Sequence, residues 1–284
     1  MQDGILSIQS LVAYGHVGNS AAMFPLQRLG FEVWPIPTVL FSNHTGYGAF
    51  RGRPVGADWQ REILSGLEER GALARTRAVL SGYLGDPATA EVVVEAVERV
   101  RRHRSDAIYA CDPVIGDDGR GVFVRAGIPE LLRERIVPMA TIVKPNRFEL
   151  SALSGIEVAS LADALEAARA LRARGPELVV VTSLSLPERE GELGMLADTE
   201  DGSWLVWTPR LPITLNGTGD AFAALLLGEW LATGDAETAL GRTASAIYAL
   251  VEATWRAGSR ELLLVEAQAS IVEPPHLFAP TRLR

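Results

Sequence analysis

The chain has one cysteine, Cys111, in 284 residues, which excludes an internal disulfide and any CxxC metal motif. Its four histidines show no HxxxH spacing, so no zinc site is expected. Positive charge is in deficit: 27 Lys and Arg against 35 Asp and Glu give a net charge of -8. A nucleic-acid partner is therefore not expected, because a phosphate backbone calls for basic patches. The cluster Arg99, Arg101, Arg102 and Arg104 is too short to reverse this and reads as the solvent face of a helix. No apolar run approaches the roughly 20 residues that span a bilayer. Met1-Gln2-Asp3-Gly4 lacks the basic n-region of a secretion signal. The expectation is a cytoplasmic protein with no membrane partner. Linkers, internal repeats and low-complexity tracts are missing too, so residues 1–284 read as a single domain. Neither GxxxxGK[ST] nor GxGxxG occurs, so a nucleotide site would need another architecture.

What is present is apolar patterning, with 48% hydrophobic residues. Short apolar strands are predicted at 5–8, 78–80, 107–111, 141–143 and 178–181. A longer one at 31–41 carries Pro35 and Pro37, which suggests an edge strand or a bulge. Helical periodicity covers 19–29, with Gly30 as its C-terminal stop, then 87–103, 161–174, 219–232 and 236–254. Asp58 is expected to cap a helix running to Arg70, and Asn146 a short one at 148–153. A last helix is expected near 260–267. Strands around 194–196 and 204–207 read as a hairpin, with Asp201-Gly202 as the turn signal. Strands alternate with helices, and several are apolar on both faces. This pattern predicts an α/β fold with a mostly parallel sheet covered on both sides. Ligands then bind beyond the carboxyl ends of the strands. The polar residues that follow the strands converge there: Ser10, Asn43 to Tyr47, Tyr83, Asp112, Lys144 with Asn146, and Thr182. Cys111, inside an apolar strand, reads as a small hydrophobe.

Two motifs carry chemistry. In Asn216-Gly217-Thr218-Gly219-Asp220, the glycines allow a tight turn and bring backbone N–H groups close to a ligand. The helix that follows leaves its first N–H groups unpaired, which suits a phosphate. Asp220 would repel that anion if binding were its only task; it is useful if it takes a proton from an attacking hydroxyl. A plain helix-capping Asp remains open at this point. Asp112-Pro113-Val114-Ile115-Gly116-Asp117 follows a strand, and Glu149 follows Asn146 by one turn. Carboxylates near a nucleotide are what Mg²⁺ requires, with phosphate oxygens and waters completing the shell. A monovalent cation such as K⁺ has room nearby through carbonyls and carboxylates. The alternative is that Asp117 and Asp118 are turn residues, Asp118 above all, and Glu149 a surface helix charge; His44 reads as a structural hydrogen-bonding residue, and Lys144 as a phosphate-neutralising or a plain surface lysine.

In chain order, the strings Ser7-Ile8-Gln9-Ser10, Gly15-His16-Val17-Gly18-Asn19, Phe41-Ser42-Asn43-His44-Thr45-Gly46-Tyr47, Ser81-Gly82-Tyr83, Pro145-Asn146-Arg147-Phe148-Glu149-Leu150 and Gly217-Thr218-Gly219-Asp220 resemble pyridoxal kinases of the ribokinase-like superfamily. The bacterial pyridoxal-specific type is the most similar. The first and third strings are specific to these kinases; the last marks the wider superfamily. The resemblance implies a three-layer α/β/α sandwich, ATP-dependent phosphorylation of the 5′-hydroxyl of pyridoxal, and a homodimer. It places Ser10 on the pyridine ring and Val17, Thr45, Gly46 and Tyr83 around the vitamin. Asp220 becomes the base, with Gly217, Thr218 and Gly219 as the anion hole. Asp112 and Glu149 fall near the metal and the ATP phosphates. Lys144, Thr182, Thr208, Pro209, Arg210 and Leu211 fall where the family contacts the nucleotide. Three features depart from the family pattern: Lys at position 144, Asn at 216, and a shorter segment between Trp207 and Gly217. Two other readings stay open, a hydroxymethylpyrimidine kinase and a non-catalytic vitamin B6 carrier. Ser10 and the 43–47 string favour pyridoxal over the pyrimidine, and Asp220 disfavours the carrier.

Overall fold

Alternating strand and helix patterns build a sheet with helices on both faces. The computed structural model describes residues 3–283. In chain order the elements are β1 (Gly4–Val12), α1 (Asn19–Arg28), β2 (Glu32–Phe41), β3 (Gly52–Pro54), α2 (Ala57–Glu69), β4 (Thr76–Ser81), α3 (Pro87–His103), β5 (Ile108–Cys111), β6 (Gly116–Asp117), β7 (Gly121–Val122), α4 (Ile128–Leu131), β8 (Ile142–Val143), α5 (Arg147–Ser154), α6 (Leu161–Arg172), β9 (Leu178–Leu184), β10 (Glu192–Asp198), β11 (Ser203–Pro209), α7 (Thr218–Thr233), α8 (Ala236–Arg256), α9 (Ala269–Val272) and β12 (Thr281–Arg282). The main sheet has the order β12-β11-β10-β9-β8-β5-β4-β1-β2-β3, and β6 and β7 pair separately. Neighbours from β2 through β1, β4, β5 and β8 to β9 are parallel. The remaining pairs are antiparallel.

Strand side chains alternate between faces, so each face acquires its own core. Ile5 packs with Ala22, Leu26, Phe222 and Leu227 on the α1, α7 and α8 side. Leu6 and Ile8 pack with Leu64, Val93, Leu150 and Leu171 on the α2, α3, α5 and α6 side. These are the three layers. From β1 the chain steps outward to β2, then returns to pair β4 on the other flank of β1. At such a reversal a crevice opens beyond the strand ends.

Most boundaries agree with the pattern, and the exceptions have local causes. Pro35 and Pro37 lie in the half of β2 that β3 leaves unpaired, and the β1–β2 register shifts between Gln9 and Leu11, just past Pro37. Asp58 does not cap α2: Gly56 does, and Asp58 sits exposed in the first turn, 3.3 Å from Arg61. Asn146 caps α5 as expected, in a reciprocal capping box with Glu149. No helix forms over 260–267. Leu262 and Leu264, two residues apart, are both fully buried, a spacing one helical face cannot provide. Ser259 binds the backbone of Glu261 instead.

Candidate active site

Two cavities meet at the N-terminus of α7. The larger, about 390 Å³, opens beyond the ends of β1, β4, β5 and β8 and is lined by Ser10, Val17, Thr45 and Tyr83 on one side. Asp112, Lys144, Glu149 and Thr182 line the other, and Gly217 to Asp220 close it. Of the residues predicted from strand ends, Ser10, His44, Thr45, Tyr83, Asp112, Lys144, Asn146 and Thr182 line this cavity, whereas Asn43, Gly46 and Tyr47 do not. The smaller cavity, about 190 Å³, is mostly apolar, with Leu193, Met195, Phe222, Ile247 and Val251, and with Thr208, Pro209 and Leu211 along β11 and the loop beyond. Thr182, Ser183, Leu215, Thr218 and Gly219 line both cavities. Asp220 lines only the larger one.

The α7 mouth is kept open by its sequence. Side chains cap α3, α5, α6 and α8, whereas Gly217 caps α7 with no side-chain bond. Gly217 has φ 84, and a Cβ there would run into the His16 carbonyl. Glycine is required on both counts. The first amides of α7 are left for a ligand, at the positive end of the helix dipole. A Cβ on Gly219 would stand 3.6 Å from Lys144 Nζ, so the ammonium flanks this mouth. The Gly18 backbone N–H acts on the Asp220 carboxylate in favour of its charged form. Burial raises the Asp220 pKa, against the Gly18 backbone and the charge of Lys144.

Lys144 is buried, not on the surface, with Nζ 3.2 Å from Asp112 Oδ1. Burial pulls its pKa down, but Asp112, Glu149 and Asp220 more than reverse this, so it stays charged. Burial raises Asp112, and the charges of Glu149 and Asp220 add to the rise against Lys144. Glu149 is also raised, by burial first. Its two oxygens accept from the N–H groups of Ile115 (3.0 Å) and Asn146 (2.9 Å). Among the described residues no group of three or more His, Cys, Asp and Glu side chains forms a metal cage. The donor set still fits Mg²⁺ in its usual mode, through one or two carboxylates plus phosphate oxygens and water. Asp112 has one oxygen not paired with Lys144, and both Asp112 and Glu149 line the cavity.

Gly46 and Arg210 line neither cavity, although Gly46 lies close to Asn216 at the α7 mouth. Gly46 is exposed, its N–H donating to His44 Nδ1 (3.0 Å). Arg210 is exposed near Ser185. His44 caps the 3-10 turn Thr45–Tyr47 and also lines the larger cavity, and burial lowers its pKa. The Cys111 thiol is pushed up to about 12 by burial, consistent with an inert packing role. Asp118 pairs with Arg147 at the surface. Sequence reasoning missed Arg120 and Phe123 from the β6–β7 ribbon, which line the larger cavity. It also missed Ser183, with φ 57, the one non-glycine among the described residues at positive φ. Backbone strain of this kind concentrates at functional sites. Among the described residues no helix is long and apolar enough to cross a membrane.

The phosphomethylpyrimidine kinase family model matches residues 72–264. A pyridoxal kinase PdxY of Rubrobacter xylanophilus is 55% identical over 98% of this chain and 97% of its own. One from Leifsonia xyli is 51% identical over 98% of this chain and 99% of its own. The solved pyridoxal kinase of Leishmania donovani in complex with ADP and ginkgotoxin superposes with a TM-score of 0.94, at 33% identity and with both chains fully covered.

Proposed function

This chain belongs to the pyridoxal kinase family, and from that premise we propose how its two cavities divide the reaction. It phosphorylates the 5′-hydroxyl of pyridoxal at the expense of ATP. The larger cavity takes the vitamin, with Ser10 on the ring and Val17, Thr45 and Tyr83 around it. The smaller, apolar slot takes the adenine, with Thr208, Pro209 and Leu211 at its rim. The triphosphate lies between, over Thr182 and Lys144, with its terminal phosphate at the mouth of α7. Asp220 removes the proton from the 5′-hydroxyl. That oxygen bonds to the γ-phosphorus as the bond to the bridging oxygen of ADP breaks. The amides at Gly217 to Gly219 and the Lys144 ammonium face the charge that spreads over the transferring group. A Mg²⁺ ion, held through Asp112 and Glu149, would neutralise phosphate charge when bound. A monovalent cation such as K⁺ would be held nearby through carbonyls and carboxylates. We take the working protein to be a cytoplasmic homodimer of one-domain chains.

One observation carries this division: the cavities share a wall at the α7 mouth, and the candidate base stands only on the vitamin side. A coupled assay of ADP release with pyridoxal and with hydroxymethylpyrimidine tests it. The expected result is pyridoxal-dependent ADP formation with the higher kcat/KM for pyridoxal. Preference for the pyrimidine would overturn the substrate assignment, and tight vitamin binding without ADP would indicate a carrier.

A further inference from the structure

Glu261 belongs to none of the strings that carry the family resemblance, and it lies in the segment where the expected last helix does not form. Its carboxylate joins three remote parts of the chain. The His16 N–H donates to Oε2 at 3.0 Å, and the Tyr47 hydroxyl donates to Oε1. Gly15 has φ 88, and a Cβ there would strike the carboxylate, so glycine permits the approach. Arg260 lays its guanidinium 4.8 Å from the Tyr47 ring centroid, and Tyr14 meets that ring edge-on at 6.2 Å.

The anchor is tied down by hydrogen bonds and burial. Ser259 Oγ accepts from the Glu261 N–H (3.1 Å) and donates to its carbonyl (2.7 Å). The Leu263 N–H donates to Thr254 Oγ1 at 3.1 Å. Leu262 and Leu264 are buried against Ala21 of α1 and Ala221 and Leu225 of α7. The two tethered loops, by contrast, face the site. The 15–18 loop places the His16 carbonyl beneath Gly217 and the Gly18 N–H on Asp220. The 44–47 loop presents Thr45 to the vitamin cavity.

We propose that Glu261 is a positioning residue: one carboxylate oxygen fixes the loop that holds the base, the other fixes the loop that holds pyridoxal. A charged acceptor shared by two donors is stronger than two neutral bonds. Small displacements of a reacting group are costly, since 1 Å can lose ~10²-fold in rate. The inference rests on the kinase reading above.

Steady-state kinetics with pyridoxal and ATP varied separately test it in three variants. Tyr47→Phe cuts only the pyridoxal arm, and one hydrogen bond of ~1 kcal/mol predicts a roughly fivefold rise in KM for pyridoxal with kcat near wild type. Glu261→Ala cuts both arms and is expected to raise that KM and also lower kcat by roughly 10- to 100-fold. Glu261→Gln keeps an oxygen for the His16 N–H and should restore most of the kcat. KM for ATP should hold in all three, because no Glu261 contact reaches the adenine slot. Wild-type kinetics in Glu261→Ala would overturn the proposal, as would Glu261→Gln performing no better than alanine or KM for ATP rising in step. If Glu261→Ala does not fold, an unchanged KM for pyridoxal in Tyr47→Phe overturns it. Wild-type enzyme inactive on pyridoxal would defeat the kinase reading instead, whereas active wild type with indifferent variants defeats only the role of Glu261.

Discussion

Replacing Asp220 with alanine is expected to lower kcat by roughly 10²–10⁴-fold, the usual worth of general-base catalysis, while pyridoxal still binds. The reason is division of labour. On the proposed reading, residues at the ends of β1, β2 and β4 hold the vitamin's ring, and only its 5′-hydroxyl is expected to meet Asp220. A variant with near-normal turnover would refute the base. Asp220→Asn separates charge from shape, because its amide oxygen can still accept from the Gly18 N–H. Burial keeps the Asp220 pKa in the folded chain above its unfolded value. The folded state is therefore favoured below the unfolded pKa, and that advantage is lost as pH rises through the folded one. Asparagine never ionises. Asp220→Asn should therefore unfold at a higher temperature than wild type at neutral pH, and the gap should close as pH falls towards ~4. A variant that is both inactive and more stable is what a site-specific charge predicts; a variant that is inactive and less stable would point to a structural Asp.

Lys144→Met is expected to lose both stability and turnover. The side chains of Lys144 and Asp112 are each 5% exposed. Removing one partner of a buried pair strands the other charge, typically at 3–5 kcal/mol. The low end, about 3 kcal/mol, is expected here, because Asp112 already has a raised pKa and takes up a proton readily. Denaturant unfolding at neutral pH measures it. Turnover falls for a separate reason: the ammonium flanks the α7 mouth, where negative charge spreads during transfer. Loss of one such stabilising group costs roughly 10²–10³-fold in kcat. KM for pyridoxal should change little, since Lys144 lies across the cavity from Ser10, Val17 and Tyr83. Wild-type kcat with reduced stability would reduce Lys144 to a structural cation.

The layers and much of the site could be read from the chain because both depend on local patterns. Parallel strands buried on both faces are short apolar runs, and the polar residues at their ends mark the ligand crevice. Asn146 and Glu149 have the spacing of a capping box, which occupies one Glu149 oxygen; what the spacing hid is that the other accepts from the distant Ile115 N–H. Lys144 looked like an even choice between phosphate ligand and surface charge because its pairing with Asp112 is made across neighbouring strands. Asp58 mimicked a cap because an acid in the first turn gives nearly the same signal as one just before it. Glu261 was illegible in principle. Its partner His16 is 245 residues away, and no local periodicity encodes such a contact. Ser183 was hidden too, since nothing in a serine's identity announces a left-handed backbone.

The most direct measurement is a crystal structure of the protein with pyridoxal and a non-hydrolysable ATP analogue. The 5′-oxygen should lie within about 2.6–3.2 Å of the Asp220 carboxylate, with the terminal phosphate seated on the amides at Gly217 to Gly219. A vitamin bound with its hydroxymethyl group turned away from Asp220, or a terminal phosphate remote from the α7 mouth, would contradict this chemistry.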